Sequence, residues 1–265
     1  MPRRLLLASL LLIAARATAI DVAPDVKEVK DCMGRNFPKN SSVQSISMKR
    51  TTKDGTVKKL RAKIWWQKGN DDLNRARVSF EEPDDIRGSG LLVLQNKDGH
   101  NDLFMYLPEL RRVRRVTGGM MSGSMFGTDF TYEQIERLEG LSKDAEVTRG
   151  KDTILDGAPV YVIEAVPTQT AGETSELTRV VSYVSKETCV AVKTEFYGAS
   201  DAPTHVMVAD PTRITQESSG YVPRRIVMRD LKKGSETELV VDKVEIGVDL
   251  PPKHFSQSAL EAAGR

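Results

Sequence analysis

The chain has 265 residues, of which 39% are hydrophobic and 29% charged, a balance that supports a sizeable buried core and excludes wholesale disorder. The formal net charge is only +2, so nothing global argues for nucleic acid as a partner, and any basic patch must be local. The two cysteines are too few for a zinc site, and no histidine stands at metal-ligand spacing from either.

The N-terminus reads as an export signal. Arg3 and Arg4 precede an apolar run over residues 5–15, and Ala17-Thr18-Ala19 is a small-x-small cleavage site, so removal of residues 1–19 is expected. The run is shorter than the roughly 20 residues that span a bilayer, and no later segment is apolar enough to do so. The expected mature protein is exported, soluble and a single domain over residues 20–265. In an oxidising compartment Cys32 and Cys189 form a candidate disulfide, against the alternative of two buried free thiols.

Residues 25–36 read as a helix, because Val26, Val29, Cys32 and Met33 recur at helical spacing until Phe37-Pro38 ends the pattern. From Ser42 the period becomes two. Ile46 and Met48 share one strand face, and Lys53-Asp54-Gly55-Thr56 is read as a type I′ hairpin turn. Leu60, Ala62, Ile64 and Trp66 alternate with Arg61, Lys63 and Trp65, and Ala76, Val78 and Phe80 give the next one-sided strand. The unbroken run Leu91-Leu92-Val93-Leu94 predicts a strand covered on both faces. The turn over residues 96–99 leads back into a strand over 103–107, and Pro108 marks the next corner. Thr131 and Gln134 stand at capping-box spacing before a short helix over 132–138. Six further strands are expected over 160–166, 177–184, 190–197, 205–209, 224–229 and 239–246, with a short helix near 255–260. Many short strands and few helices predict a large antiparallel sheet or open barrel.

No sequence pattern marks a catalytic site. His100, His205 and His254 fall in different predicted elements, and no zinc-protease, serine-hydrolase or phosphate-loop motif is present. Asp84 and Asp85 read as solvated loop acids, and Asn40-Ser41-Ser42 is a glycosylation triplet of a kind common by chance. Binding is therefore the better expectation: no catalytic residue, no cofactor and no metal. Arg111, Arg112, Arg114 and Arg115 bracket Val113 and Val116. They are either a solvated strand face or a contact for an anionic partner. The loop over 118–127 carries Met120, Met121, Met125 and Phe126 among glycines and serines. Such a loop is either an adaptable surface for an apolar ligand or a methionine-rich core plug.

The segment Phe-Met-Tyr-Leu-Pro-Glu-Leu-Arg-Arg-Val-Arg-Arg-Val from Phe104 and the segment Phe-Gly-Thr-Asp-Phe-Thr-Tyr from Phe126 resemble the LolA-like family of outer-membrane lipoprotein-sorting proteins. Ile86-Arg-Gly-Ser-Gly-Leu-Leu supports the resemblance. It is strongest to a branch found alongside resistance-nodulation-division type exporters, which makes an inner-membrane exporter a candidate partner. The resemblance implies a mainly β chain: an incomplete, half-barrel antiparallel sheet with helices over its concave face. It implies a monomeric, non-enzymatic periplasmic carrier that shields acyl chains of lipoproteins or lipids on their way toward the outer membrane. The alternative is an accessory or regulatory subunit that docks on an envelope exporter or signalling protein. Trp66, Phe80, Leu92, Phe104 and Tyr106 are the candidate lining of the implied cavity, and Met120, Met121, Met125 and Phe126 its candidate rim. Carriers of that family hold their closed state with an arginine inside the cavity. No single arginine here maps onto it, and the cluster of four departs from the family pattern.

Overall fold

The computed structural model describes residues 25–98, 100–138, 145–168 and 175–262; the expected export signal and Gly99 of the 96–99 turn lie outside them. Helix α1 (Val26–Gly34) begins where the Asp25 carboxylate accepts the Glu28 amide at 2.8 Å, satisfying one orphan donor of the first turn. An antiparallel meander follows: β1 (Ser41–Thr51), β2 (Val57–Lys68), β3 (Asn74–Glu82), β4 (Gly90–Gln95), β5 (Asn101–Leu107) and β6 (Arg112–Arg115). Helix α2 (Tyr132–Leu138) separates it from β7 (Ala145–Arg149), β8 (Thr153–Leu155), β9 (Ala158–Pro167), β10 (Arg179–Ser185), β11 (Ala191–Tyr197) and β12 (Pro203–Ala209). A hairpin of β13 (Ile214–Glu217) and β14 (Gly220–Pro223) precedes β15 (Arg225–Asp230), β16 (Ser235–Ile246) and α3 (Gln257–Ala262).

Fourteen of these strands form one open antiparallel sheet, in the order β6-β5-β4-β3-β2-β1-β16-β15-β12-β11-β10-β9-β7, with β8 also on β9. The first and last long strands, β1 and β16, pair along ten residues and join the two halves. The sheet is not closed: β6 and β7 are its two ends, so the fold is an incomplete barrel. Strands β7, β8, β13 and β14 were not legible in advance, being short and without clean apolar alternation.

Local chemistry sets the turns. At Asp156-Gly157 both residues have positive φ (49° and 83°), and Leu155 pairs with Ala158, a two-residue turn between β8 and β9. The 53–56 turn differs from expectation. Only Gly55 is left-handed (φ 85°), and its amide donates to Thr52 O at 2.8 Å. A type I′ turn needs both central residues there. The expected capping box on α2 is formed: Thr131 Oγ1 accepts the Gln134 amide at 3.1 Å and Gln134 Oε1 accepts the Thr131 amide at 2.9 Å.

Period-two alternation gives the sheet two apolar faces. The concave face carries Ile46, Met48, Leu60, Ala62, Phe80, Leu91, Val93, Leu103, Phe196, Met207, Met228 and Val241, joined in one buried cluster by the 116–135 segment. Helix α1 lies on the same face, with Val29 and Met33 against Ile163 and Val184. The opposite face carries Leu92, Phe104 and Tyr106 beneath the C-terminal segment with Leu250, Phe255 and Leu260. Leu91, Leu92 and Val93 are accordingly all buried, covered from both sides. Two helices thus cover the concave face, and α3 covers the convex one.

Candidate functional site

The segment over 117–138 fills the concave face. Leaving β6, the chain makes a tight turn at Gly118–Met120 with Gly118 left-handed (φ 57°) and then folds on itself. The Met125 amide donates to Phe130 O at 2.8 Å, and the Glu133 amide to Met121 O at 2.9 Å. Phe126 is itself left-handed (φ 48°), a conformation that costs a non-glycine residue roughly 1–2 kcal/mol. It places the ring 4.6 Å from that of Phe80 and 6.2 Å from that of Tyr132. Met125, Phe126 and Phe130 are buried, and Met120 and Met121 pack half-buried against the same cluster. Thioether and aromatic side chains suit this irregular filling.

One polar anchor ties the segment to the sheet. Asp129 has a side chain only 1% exposed. Its carboxylate accepts from Ser235 Oγ at 2.6 Å, Thr237 Oγ1 at 2.7 Å and Arg50 Nε at 3.2 Å, and its amide donates to Thr237 Oγ1 at 2.9 Å. Arg50 pairs with Thr237 across β1 and β16, so adjacent strands present all three partners. A second contact holds α2, where Glu133 accepts from Arg137 at 3.5 Å and from the hydroxyl of Ser175.

Beside Asp129 lies a histidine. His205 Nε2 approaches Asp230 Oδ2 at 3.6 Å, and its Nδ1 lies 3.1 Å from Thr204 Oγ1. Burial pushes the imidazole below its ordinary range, against the opposing pull of the Asp230 carboxylate. The ring is therefore uncharged at neutral pH. Burial pushes Asp230 upward, but the side chain and amide of Lys233 and the approach of His205 outweigh it and hold the carboxyl low. Ser235 donates to Asp129, and the hydroxyl that His205 meets is that of Thr204. Among those residues no group of three or more His, Cys, Asp or Glu is placed to hold a metal ion, and no helix is long and apolar enough to cross a membrane.

The structure sorts the expected lining residues by face. Trp66, Phe80, Met120, Met121, Met125 and Phe126 belong to the concave cluster. Leu92, Phe104 and Tyr106 do not; they lie under the C-terminal segment on the convex face. Alternation gives the concave positions of β5 to Leu103, Met105 and Leu107 instead. The arginines are split in the same way. Arg115 stands opposite Phe104 and pairs with Asp102, while Arg112 and Arg114 stand opposite Leu107 and Met105 on the concave side. Arg111 occupies the left-handed corner (φ 47°). Arg111, Arg112 and Arg114 have no ion pair among the described residues, and β6 is the sheet's free edge.

Cys32 and Cys189 are joined in a disulfide with Cα atoms 5.5 Å apart, tying the end of α1 to the β10–β11 turn. Asn36 reinforces the tie: its Nδ2 donates to Thr188 O at 2.9 Å and its Oδ1 accepts the Tyr221 amide at 3.0 Å. Gly220 (φ 137°) completes the joint, because a Cβ there would lie 2.7 Å from Arg35 O. A surface cleft of about 300 Å³ opens between α1 and Tyr161. Asp129, Arg50, Ser235 and Thr237 were not singled out from sequence. The available signal was a lone aspartate between Thr128 and Phe130 in a largely apolar stretch, a residue that is buried only when something pairs it.

A family model with the description "Uncharacterized protein" matches residues 72–262. Among curated proteins none matches the chain. The fold is similar to the crystal structure of a DUF1329 family protein from Desulfovibrio piger (TM-score 0.79, 22% identity, covering 90% of this chain and 100% of that one). It is also similar to a putative outer membrane lipoprotein-sorting protein domain from Vibrio parahaemolyticus (TM-score 0.78, 21% identity, 89% of this chain and 98% of that one). A LolA superfamily protein from Nitrosomonas europaea shares the architecture as well (TM-score 0.71, 19% identity, 89% of this chain and 100% of that one).

Proposed function

We propose that this chain, which belongs to the family whose model matches residues 72–262 and has a fold similar to that of a LolA superfamily protein, is a monomeric, non-enzymatic carrier of acyl chains. It acts in the periplasm after export and takes up a lipid or the lipid part of a lipoprotein. The observation that carries this reading is the continuous apolar concave face of an unclosed sheet, covered by a segment fastened through few polar contacts. In this closed state Met120, Met121, Met125 and Phe126 occupy the space that an acyl chain would take. Swinging the 117–138 segment outward exposes an apolar trough. Each methylene buried there contributes about 0.8 kcal/mol, so a long chain needs no covalent bond to be held. Arg50, reaching the buried Asp129, is the arginine we assign to holding the closed state. The test is uptake of a fluorescent fatty acid or a lipidated peptide by delipidated protein. Saturable binding is expected, and absence of uptake with both probes overturns the reading.

A second reading, docking on an envelope exporter or signalling protein, rests on Arg111, Arg112 and Arg114 at the free edge β6. Replacing the three with serine separates the two. Lipid uptake retained with loss of a co-purifying protein favours docking; loss of lipid uptake alone favours an anionic headgroup contact at the rim.

A further inference from the structure

Resting on the carrier reading, we propose that Ser42 and Trp66 form a seat for a carbonyl oxygen on the concave face, so that the ligand held there is an acyl ester or amide. Ser42 pairs directly with Trp66 across β1 and β2. Alternation places both on the same face as Ile46, Met48, Leu60, Ala62 and Ile64. Ser42 is 1% exposed and Trp66 7%. Ser42 Oγ and Trp66 Nε1 are both buried with no hydrogen-bond partner. Burying a donor unpaired is unfavourable, and here both groups belong to directly opposed residues, whose Cβ atoms lie about 5 Å apart. The preceding serine shows the contrast: Ser41 Oγ donates to Val248 O at 2.6 Å. The orphaned pair is confined to the concave side.

The chemistry of the pair selects the ligand group. An indole N–H only donates, and a hydroxyl donates or accepts, so one ligand atom serving both must be an acceptor. Within an acyl chain and its linkage that acceptor is the ester or amide carbonyl. On the other side Trp66 faces Ala76 across β3, so small side chains flank the indole in the sheet on both sides. Phe37, its ring 6.3 Å from that of Trp66, covers it from the loop after α1. The hydrocarbon chain then runs over the apolar face beyond Ile64 and Ile46.

The test compares glyceryl monopalmitate with 1-O-hexadecylglycerol, which has the same length and headgroup but no carbonyl, in displacement of a fluorescent fatty acid. The native protein is expected to prefer the ester by about tenfold. Trp66→Phe and Ser42→Ala are each expected to bring the ratio to within about threefold, by weakening the ester more than the ether. Because the ratio is taken on each protein separately, a change in overall packing cancels. Equal binding of ester and ether by the native protein, or equal loss of both in the variants, overturns the carbonyl seat and leaves the carrier reading standing. Binding of neither probe, and of no fatty acid, overturns both.

Discussion

Asp129 is the residue that anchors the 117–138 segment to the sheet. Three side-chain donors surround its carboxylate, and one of them, Arg50, carries the compensating charge. Asp129→Asn leaves Arg50 partly buried without its counter-ion and removes an acceptor from Ser235 or Thr237. A loss of about 3 kcal/mol is expected, read as a fall in Tm together with faster chymotryptic nicking within residues 118–127. A variant as stable and as protected as the native chain would show that the loop is held by apolar contacts alone. His205 makes a second residue-scale prediction. Its pKa is depressed by burial, so the unfolded state binds more protons between the folded pKa and the ordinary value near 6.5. The stabilisation is therefore complete above about pH 6.5 and is lost as pH falls through the folded pKa. His254, also depressed by burial and then by Arg77, acts with the same sign. Tm measured from pH 7.5 to 5 should fall, and His205→Gln with His254→Gln should flatten that part of the fall.

At the scale of elements, α1 is a fastened helix rather than a free lid. Its amphipathic stripe was legible as Val26, Val29, Cys32 and Met33, but only the fold shows what the stripe lies on: Ile163 and Val184, more than a hundred residues away in sequence. The Cys32–Cys189 bond closes a separation of 157 residues, which in the chain-entropy model stabilises by up to about 5 kcal/mol. Cys32→Ser with Cys189→Ser should lower Tm steeply, and a peptide linking the two cysteines should appear in the mass spectrum of the non-reduced protein. Two free thiols would contradict the bond. With α1 tied at its C-terminal end by the disulfide and by Asn36, the opening we propose for the concave face falls to the 117–138 segment. The arginine strand teaches the complementary lesson. Four arginines within five residues look like one patch, but a strand sends neighbours to opposite faces, and Arg115 leaves the group to pair with Asp102.

For the whole molecule, the two halves of the chain close on each other through β1 and β16, and the sheet stops short of a barrel at β6 and β7. A large curved sheet of this kind buries little on its own. Its concave face needs a cover, and the methionine-rich segment supplies one that is well packed and yet fastened at few polar points. The expected fatty-acid uptake belongs to this scale, because it requires the entire cover to shift. Binding should accordingly be slower than diffusion and faster in Asp129→Asn, where the anchor is weakened.

The sequence by itself determined the strands with clear alternation, the capping box of α2 and the two-sided burial of Leu91-Leu92-Val93. Each of these is decided within a few residues by backbone sterics or by the period of the apolar side chains. Resemblance added the open-barrel architecture. Only the tertiary structure decided which face each apolar residue serves. Leu92, Phe104 and Tyr106 went to the convex side because α3, distant in sequence, covers it. Only the tertiary structure brought Asp129 to Arg50, Ser235 and Thr237, and put two unpaired polar groups on the directly opposed residues Ser42 and Trp66. Pairings across such distances depend on strand register, and register is fixed by the packing of the whole sheet rather than by any local stretch of residues.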